Sequence, residues 1–298
     1  MSDGVLLLGA TGTIGRAVHA ELARSGREVF APGRPVLEGA RAALATGGVG
    51  AVISCLASRD GLDAWDVDHG LNSAVLREAV AAGVERFVLL SAICVQKPRL
   101  AFQHAKLAFE AELRAAPLTW SIVRPTAYFK SLSGQVARLR AGKPFLVFGN
   151  GQLTATKPIS DQDTARYLVR CLDDVALEKR ILPIGGPGAA ITPMEQGELL
   201  FSALGLEPRF ANFPPGILRA AAAVLGLAGA ISPPTRGKAE LARIGYYYAT
   251  QSMLVWDAGI GRYDADATPG FGEDILADHY ARLAAGEVED PRGAHAVF

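Results

Sequence analysis

Cysteine is scarce in this chain. Cys55, Cys94 and Cys171 are odd in number, far apart and set among apolar residues, which suits neither a disulfide frame nor a zinc site. No protein-held metal is expected. Surplus charge is missing too: 30 basic residues balance 30 acidic ones, so the basic surface that an extended nucleic-acid footprint needs is absent. No apolar run reaches the roughly 20 residues that span a bilayer. The nearest approach, residues 216–231, is broken by Arg219 and followed by Ser-Pro-Pro. It reads as a buried or cleft-lining helix, with a lipid-touching surface helix as the alternative. Internal repeats and low-complexity tracts are lacking. An apolar strand starts at Val5, which leaves no room ahead of it for a signal or transit peptide; the expectation is a bacterial cytoplasmic protein.

What is present is a core. Half of the 298 residues are hydrophobic, enough for one large or two small domains. The chain opens with Val5-Leu6-Leu7-Leu8, then Gly9-Ala10-Thr11-Gly12-Thr13-Ile14-Gly15, then Val18 and Leu22 at helical spacing. A short all-apolar run feeding three glycines and an amphipathic helix is the pattern of a buried parallel strand entering a phosphate-binding turn. Gly9 permits the tight turn, Gly12 lets backbone approach a pyrophosphate, and Gly15 lets the helix pack on the strand. Amide groups at the helix start then face the anion, aided by the helix dipole.

A second strand, Glu28–Ala31, is followed by Pro32-Gly33-Arg34, with no acid before Glu38. An acid here would hold the ribose hydroxyls of NADH, whereas an arginine accommodates a 2′-phosphate. Arg34 therefore points to NADPH. Between Pro35 and Gly50 only one short helical run, Ala40–Ala45, precedes the strand Ala51–Leu56. A βαβ unit takes about 30 residues, so one edge strand is expected to be missing or reduced. Strand and helix then alternate: a helix over Asn72–Gly83, a strand over Arg86–Ala92 ending near Ser91, a helix over Leu100–Ala116 and a strand over Thr119–Val123, closed by Arg124-Pro125-Thr126. The fold class is α/β, a Rossmann-like doubly wound parallel sheet. Residues 1–126 form the expected cofactor-binding core. Residues 127–298 supply sheet completion, including a strand at Arg180–Ile184, and a smaller, mainly helical substrate-binding part. Helix starts are marked by Ser160–Asp163 and by Thr192-Pro193-Met194-Glu195.

Short-chain dehydrogenases pair a tyrosine with a lysine four residues later, the lysine holding the nicotinamide ribose and the tyrosine passing a proton. Here the helix reads Phe102-Gln103-His104-Ala105-Lys106. Phe102 has no proton to give, which disfavours ordinary alcohol–ketone interconversion. Lys106 is the first candidate for ribose binding and a lesser candidate as proton source, with His104 and Cys94 behind it. Ser91, at a strand's carboxyl end, is a candidate to hydrogen-bond the carboxamide or the substrate. Tyr128 is a candidate cleft residue or packing residue.

The chain resembles the divinyl chlorophyllide a 8-vinyl reductases, atypical extended short-chain dehydrogenases. The likeness is carried by Ser54–Arg59, Phe87–Pro98, Phe102-Gln103 with Ala105-Lys106, Ser121–Ala127, Phe129–Leu132, Lys157–Ser160, Leu182–Gly188, Arg243–Gly245 and Ser252–Val255, and reaches the terminal Ala296-Val297-Phe298. Relatives carry more chain than this one between Arg34 and Ala51. The resemblance implies NADPH-dependent reduction of the C8 vinyl group of a divinyl chlorophyllide or protochlorophyllide, a substrate that brings its own magnesium, in chlorophyll or bacteriochlorophyll synthesis. Catalysis is expected at Lys106 and Ser91, as read from the residues themselves. Cofactor contacts fall to Gly9, Thr11, Gly12, Thr13, Ile14, Gly15, Arg34, Cys55, Leu56, Ala57, Lys106, Pro125 and Thr126. Two other readings stay open: a non-catalytic NADP(H)-binding sensor or structural subunit, and a double-bond reductase of the isoflavone-reductase type.

Overall fold

A computed structural model describes residues 3–58, 61–229 and 233–288. Arg59, Ile231 and the terminal Ala296-Val297-Phe298 lie outside them. In chain order the elements are β1 (Gly4–Leu8), α1 (Thr13–Arg24), β2 (Val29–Phe30), α2 (Val36–Leu44), β3 (Val49–Ser54), a π-helical turn (Trp65–Leu71) running into α3 (Asn72–Ala81), β4 (Arg86–Leu90), α4 (Ala101–Ala115) and β5 (Thr119–Pro125). Then come α5 (Phe129–Leu132), α6 (Val136–Arg140), β6 (Phe145–Phe148), α7 (Asp161–Arg170), β7 (Arg180–Ile184), α8 (Pro193–Leu204) and β8 (Phe210–Phe213). The last are α9 (Gly216–Gly229), α10 (Pro233–Thr250), β9 (Val255–Asp257), β10 (Arg262–Asp264) and α11 (Leu276–Ala284).

Two compact units result: residues 1–125 with 161–184, and residues 126–160 with 185–298. A boundary drawn at residue 126 thus leaves out of the first unit the segment that carries α7 and β7.

The first unit holds a six-stranded parallel sheet in the order β2-β1-β3-β4-β5-β7. Its strands are short apolar runs, Val5 to Leu8 in β1 being wholly buried, as strands covered on both faces must be. Val5 to Leu8 lie opposite Ala51 to Ser54, and Ala51 to Ser54 opposite Arg86 to Leu89. Among the described residues the sheet stops at β2, and α2 carries the chain straight back to β3, so the expected loss of an edge strand and its crossover is what is seen. Several boundaries differ from expectation, chiefly near the open edge. The strand expected at Ala51–Leu56 runs from Val49 to Ser54, because Cys55 and Leu56 turn off into the loop above the sheet; β2 shrinks to two residues at the open edge; and α2 starts at Val36, earlier than the alanine run suggested.

The core under the sheet gathers Leu6, Leu8, Val52, Phe87, Phe109, Leu113 and Ile122. Phe87 and Phe109 meet edge to face at 5.8 Å, joining α4 to the sheet.

The second unit has its own core, with Phe129, Phe145, Leu200, Phe201 and Tyr280 among its buried residues. Its α8 starts as the sequence indicates: the Thr192 hydroxyl accepts from the Glu195 N–H while Glu195 accepts from the Thr192 N–H, with Pro193 at the first helical position. The parallel pair β6-β8 and the antiparallel pair β9-β10 complete it.

The expectation of a buried helix over residues 216–231 is not met. α9 is a surface helix: Ile217 is 50% exposed, Val224 67% and Leu227 79%. One face lies on α10, where the Arg243 guanidinium sits against Gly226, and the other is open. Apolar residues or glycine at every position but Arg219 give the run no polar stripe, so hydropathy could not tell the open side from the packed one. No described helix is long and apolar enough to cross a membrane.

Truncating Phe109 removes the ring that ties α4 to the sheet. Phe109→Ala is expected to cost about 3–5 kcal/mol, read as a lower urea midpoint at unchanged slope.

Candidate functional site

The order of the sheet reverses between β1 and β3, which is where open α/β sheets place a ligand beyond the carboxyl ends of their strands. Two chain segments meet there. After β1, Gly9 takes φ +77, a left-handed conformation that favours glycine. A Cβ on Gly9 would lie 2.8 Å from the Cys55 carbonyl oxygen, on the loop after β3. The Gly12 N–H donates to the Gly9 carbonyl at 3.0 Å, closing the turn. A Cβ on Gly15 would fall 2.0 Å from that same Gly9 carbonyl oxygen. Glycine at 15 is therefore what lets α1 begin so close to β1.

Gly12 is the N-cap of α1, and no side chain caps that end. Thr11 and Gly12 are exposed, while Thr13 and Ile14 are half-buried beside them. The Thr11 carbonyl accepts from the Arg16 guanidinium at 2.6 Å. The first-turn amides and the helix dipole favour an anion here by about 0.3–1 kcal/mol, up to about 2 in partly buried geometry. A turn without Cβ atoms, opening on an uncapped helix, fits a dinucleotide pyrophosphate.

On the β3 side Cys55 is half-buried, Leu56 buried and Ala57 exposed. Burial pushes the Cys55 thiol up to about 12, with the Lys106 ammonium pulling it the other way. Burial thus disfavours its thiolate, the reactive form. Arg34 stands beyond the end of β2, exposed, and enters no ion pair among the described residues.

Lys106 lies on α4, one turn after Phe102, and is buried. Its Nζ is 2.8 Å from Oδ1 of Asp68, which is 2% exposed on the π-helical turn. Sequence reasoning missed Asp68. The Ser58 N–H donates to the other Asp68 oxygen at 3.1 Å, so the acid joins the loop after β3 to the lysine. Asn72 supports the turn: its side-chain amide donates to the Asp68 carbonyl at 3.1 Å, and its own oxygen accepts from Ser54 Oγ at 2.6 Å.

A second buried cluster lies one turn further along α4. Glu110 accepts from Ser91 Oγ at 2.5 Å and is paired with the Arg124 guanidinium, which donates to both of its oxygens. Ser91 thus directs its proton to Glu110. The signal for this cluster was the Lys106-to-Glu110 spacing, which puts both on one helix face. Gln103 pins the start of α4 by accepting from the Arg99 and Leu100 N–H groups and donating to the Cys94 carbonyl.

The remaining candidates fall elsewhere. His104 is exposed and Cys94 buried. Pro125 ends β5 in the first unit. Thr126 and Tyr128 belong to the second unit, where Thr126 Oγ1 donates to the Lys157 carbonyl. Among the described residues no three His, Cys, Asp or Glu side chains are grouped to hold a metal.

A reversed parallel sheet, a glycine turn at its switch point and a buried lysine linked through Asp68 to the loop after β3 define a Rossmann-type nicotinamide dinucleotide reductase. A family model described as NAD(P)H-binding matches residues 35–175. The fold is shared with an NADPH-dependent quinone oxidoreductase from Escherichia coli, solved with NADPH, at TM-score 0.66 and 18% identity over 94% of this chain and 99% of that one. Among curated proteins, the chloroplastic divinyl chlorophyllide a 8-vinyl-reductase of Oryza sativa subsp. indica is 44% identical over 315 residues, covering 94% of this chain and 78% of the relative. That of Arabidopsis thaliana is 42% identical, covering 94% and 76%. This chain belongs to the divinyl chlorophyllide a 8-vinyl-reductase family. Both alignments are longer than the chain itself, so the relatives carry residues that it lacks. Their chloroplastic naming overturns the expectation of a bacterial cytoplasmic protein, which rested on where the first strand begins; that position says nothing about compartment.

Two outcomes test this geometry. Gly15→Ala should weaken nicotinamide dinucleotide binding at least about tenfold, equal to about 1.4 kcal/mol, in a cofactor-fluorescence titration. Iodoacetamide at pH 8 should alkylate Cys55 about a thousand-fold more slowly than an open cysteine, since its thiolate fraction is that much smaller; peptide mapping reads the site.

Proposed function

We propose that the protein uses NADPH to reduce the C8 vinyl group of a divinyl chlorophyllide or protochlorophyllide to ethyl. The observation that carries this reading is a buried lysine, paired with Asp68 and tied through it to the loop after β3, with phenylalanine in place of the usual tyrosine, in a member of this family. The missing phenol fits the substrate. A vinyl group conjugated to a macrocycle accepts hydride at its outer carbon because the resulting charge spreads into the ring, so no alkoxide forms and no acid is needed at an oxygen. A bound cofactor would supply the hydride to the outer carbon, and one proton drawn from solvent would go to the inner carbon to complete the ethyl group.

The protein's part is then binding, orientation and exclusion of water. Gly9, Gly12 and Gly15 give the pyrophosphate its seat. Lys106 grips the nicotinamide ribose. Cys55, Leu56 and Ala57 form the wall after β3. Ser91 serves through Glu110, fixing the helix that carries Lys106. Arg34, beyond β2 and without a carboxylate partner, faces the 2′-phosphate and selects NADPH over NADH.

Purified protein mixed with NADPH and divinyl chlorophyllide is expected to shift the Soret band as the vinyl group is lost. An unchanged spectrum at saturating cofactor would refute the reading and favour a protein that binds NADP(H) without turnover. Arg34→Ala is expected to weaken NADPH about tenfold, the worth of about one charge-assisted contact, while leaving NADH nearly unchanged; equal losses for both cofactors would remove Arg34 from the 2′-phosphate site.

A further inference from the structure

We propose that Asp68, on the π-helical turn, is the positioning residue of this site: it holds Lys106 as a fixed ammonium aimed at the cofactor, so that Lys106 clamps and does not transfer a proton. The inference rests on the reading of Lys106 as a ribose ligand and goes further, because it names what replaces the tyrosine as the lysine's partner.

The argument begins with an imbalance. In a tyrosine–lysine site the lysine's charge works on a neighbouring phenol. Phe102 leaves that charge without a phenol to act on, and the acid one turn further along α4, Glu110, is already taken up by Arg124 and Ser91. A lone ammonium that is 8% exposed would be costly to bury. The structure supplies the counter-charge from another element: Asp68 Oδ1 stands 2.8 Å from Nζ and is itself buried.

How Asp68 arrives there is a matter of backbone. The segment Trp65–Leu71 is wound as a π-helix before continuing as α3. Such turns insert an extra residue into the helical ladder and recur at functional sites. This one is held by Asn72, which donates to the carbonyls of Val67 and Asp68 and is itself tied to Ser54 at the end of β3. Asp68 spends its second oxygen on the Ser58 N–H. One carboxylate therefore fixes both the cofactor-side loop after β3 and the lysine on α4.

The test is a double-mutant cycle on NADPH affinity, read by cofactor fluorescence and so independent of pigment turnover. Asp68→Asn is expected to weaken NADPH about tenfold, and Lys106→Met by at least as much. In the Lys106→Met background, Asp68→Asn should add less than about twofold, because its effect runs through the lysine. Steady-state kinetics should show Asp68→Asn raising KM for NADPH while kcat changes little; a kcat loss at unchanged KM would mean that the pair works in the chemical step and would overturn the proposal. An equal Asp68→Asn effect in both backgrounds would also overturn it, leaving Asp68 a purely structural acid. An unchanged affinity in Lys106→Met would instead refute the ribose role of Lys106. If Asp68→Asn alone does not fold, the Asp68→Asn/Lys106→Met double variant, which buries no unpaired charge, is compared with Lys106→Met and with Asp68→Glu. Asp68→Glu keeps the charge and should retain affinity within about threefold of the parent; a loss as large as that of Lys106→Met would overturn the inference.

Discussion

The first unit depends on a backbone contact that leaves no space for a side chain. The Gly9 carbonyl is approached by Gly12 through a hydrogen bond and by the α carbon of Gly15 so closely that a Cβ there would sit 2.0 Å away. The Gly9 α carbon in turn abuts the Cys55 backbone just beyond the end of β3. Strand, helix and neighbouring strand are brought together at one point by the absence of a methyl-sized group at Gly9 and at Gly15. The same absence leaves an open seat at a helix end with no side chain to cap it. Packing and binding thus have a single cause at the switch point of the sheet.

Around that seat, buried charge is arranged in pairs. Lys106 is matched by Asp68, and Glu110 by Arg124 and Ser91. Removing one member of a buried pair costs about 3–5 kcal/mol, whereas the intact pair is close to neutral in stability. These pairs earn their place by fixing direction. α4 presents Phe102, Lys106 and Glu110 along one face, and the partners of the two charged residues come from three other parts of the sheet layer: the π-helical turn, the end of β4, and β5. A helix held at both levels has little freedom to rotate, which is what a reductase without a proton-donating phenol needs if its task is alignment.

Some features were legible because they are local. The glycine spacing after Val5–Leu8, the Thr192–Glu195 capping box and the alternation of strands and helices each follow from residues adjacent in the chain. The reduced edge was legible too, since the interval from Pro35 to Gly50 is too short for a further crossover. The open face of α9 was not: an apolar helix is compatible with burial and with exposure, and only its neighbours decide. Ser91 shows the same limit. Its place at a strand end suggested a ligand contact, while the structure gives its hydroxyl to a glutamate nineteen residues on.

The amino-acid sequence by itself determined the α/β class, the dinucleotide turn, the lysine without its tyrosine and the family, because each is written in short spacings or long matching runs. Tertiary structure decided which acid neutralises Lys106 and which side of α9 meets solvent. The physical reason is distance along the chain. Asp68 and Lys106 are 38 residues apart, and neither the π-helical winding nor the packing of α4 that brings them to 2.8 Å leaves a periodic mark in the residues between.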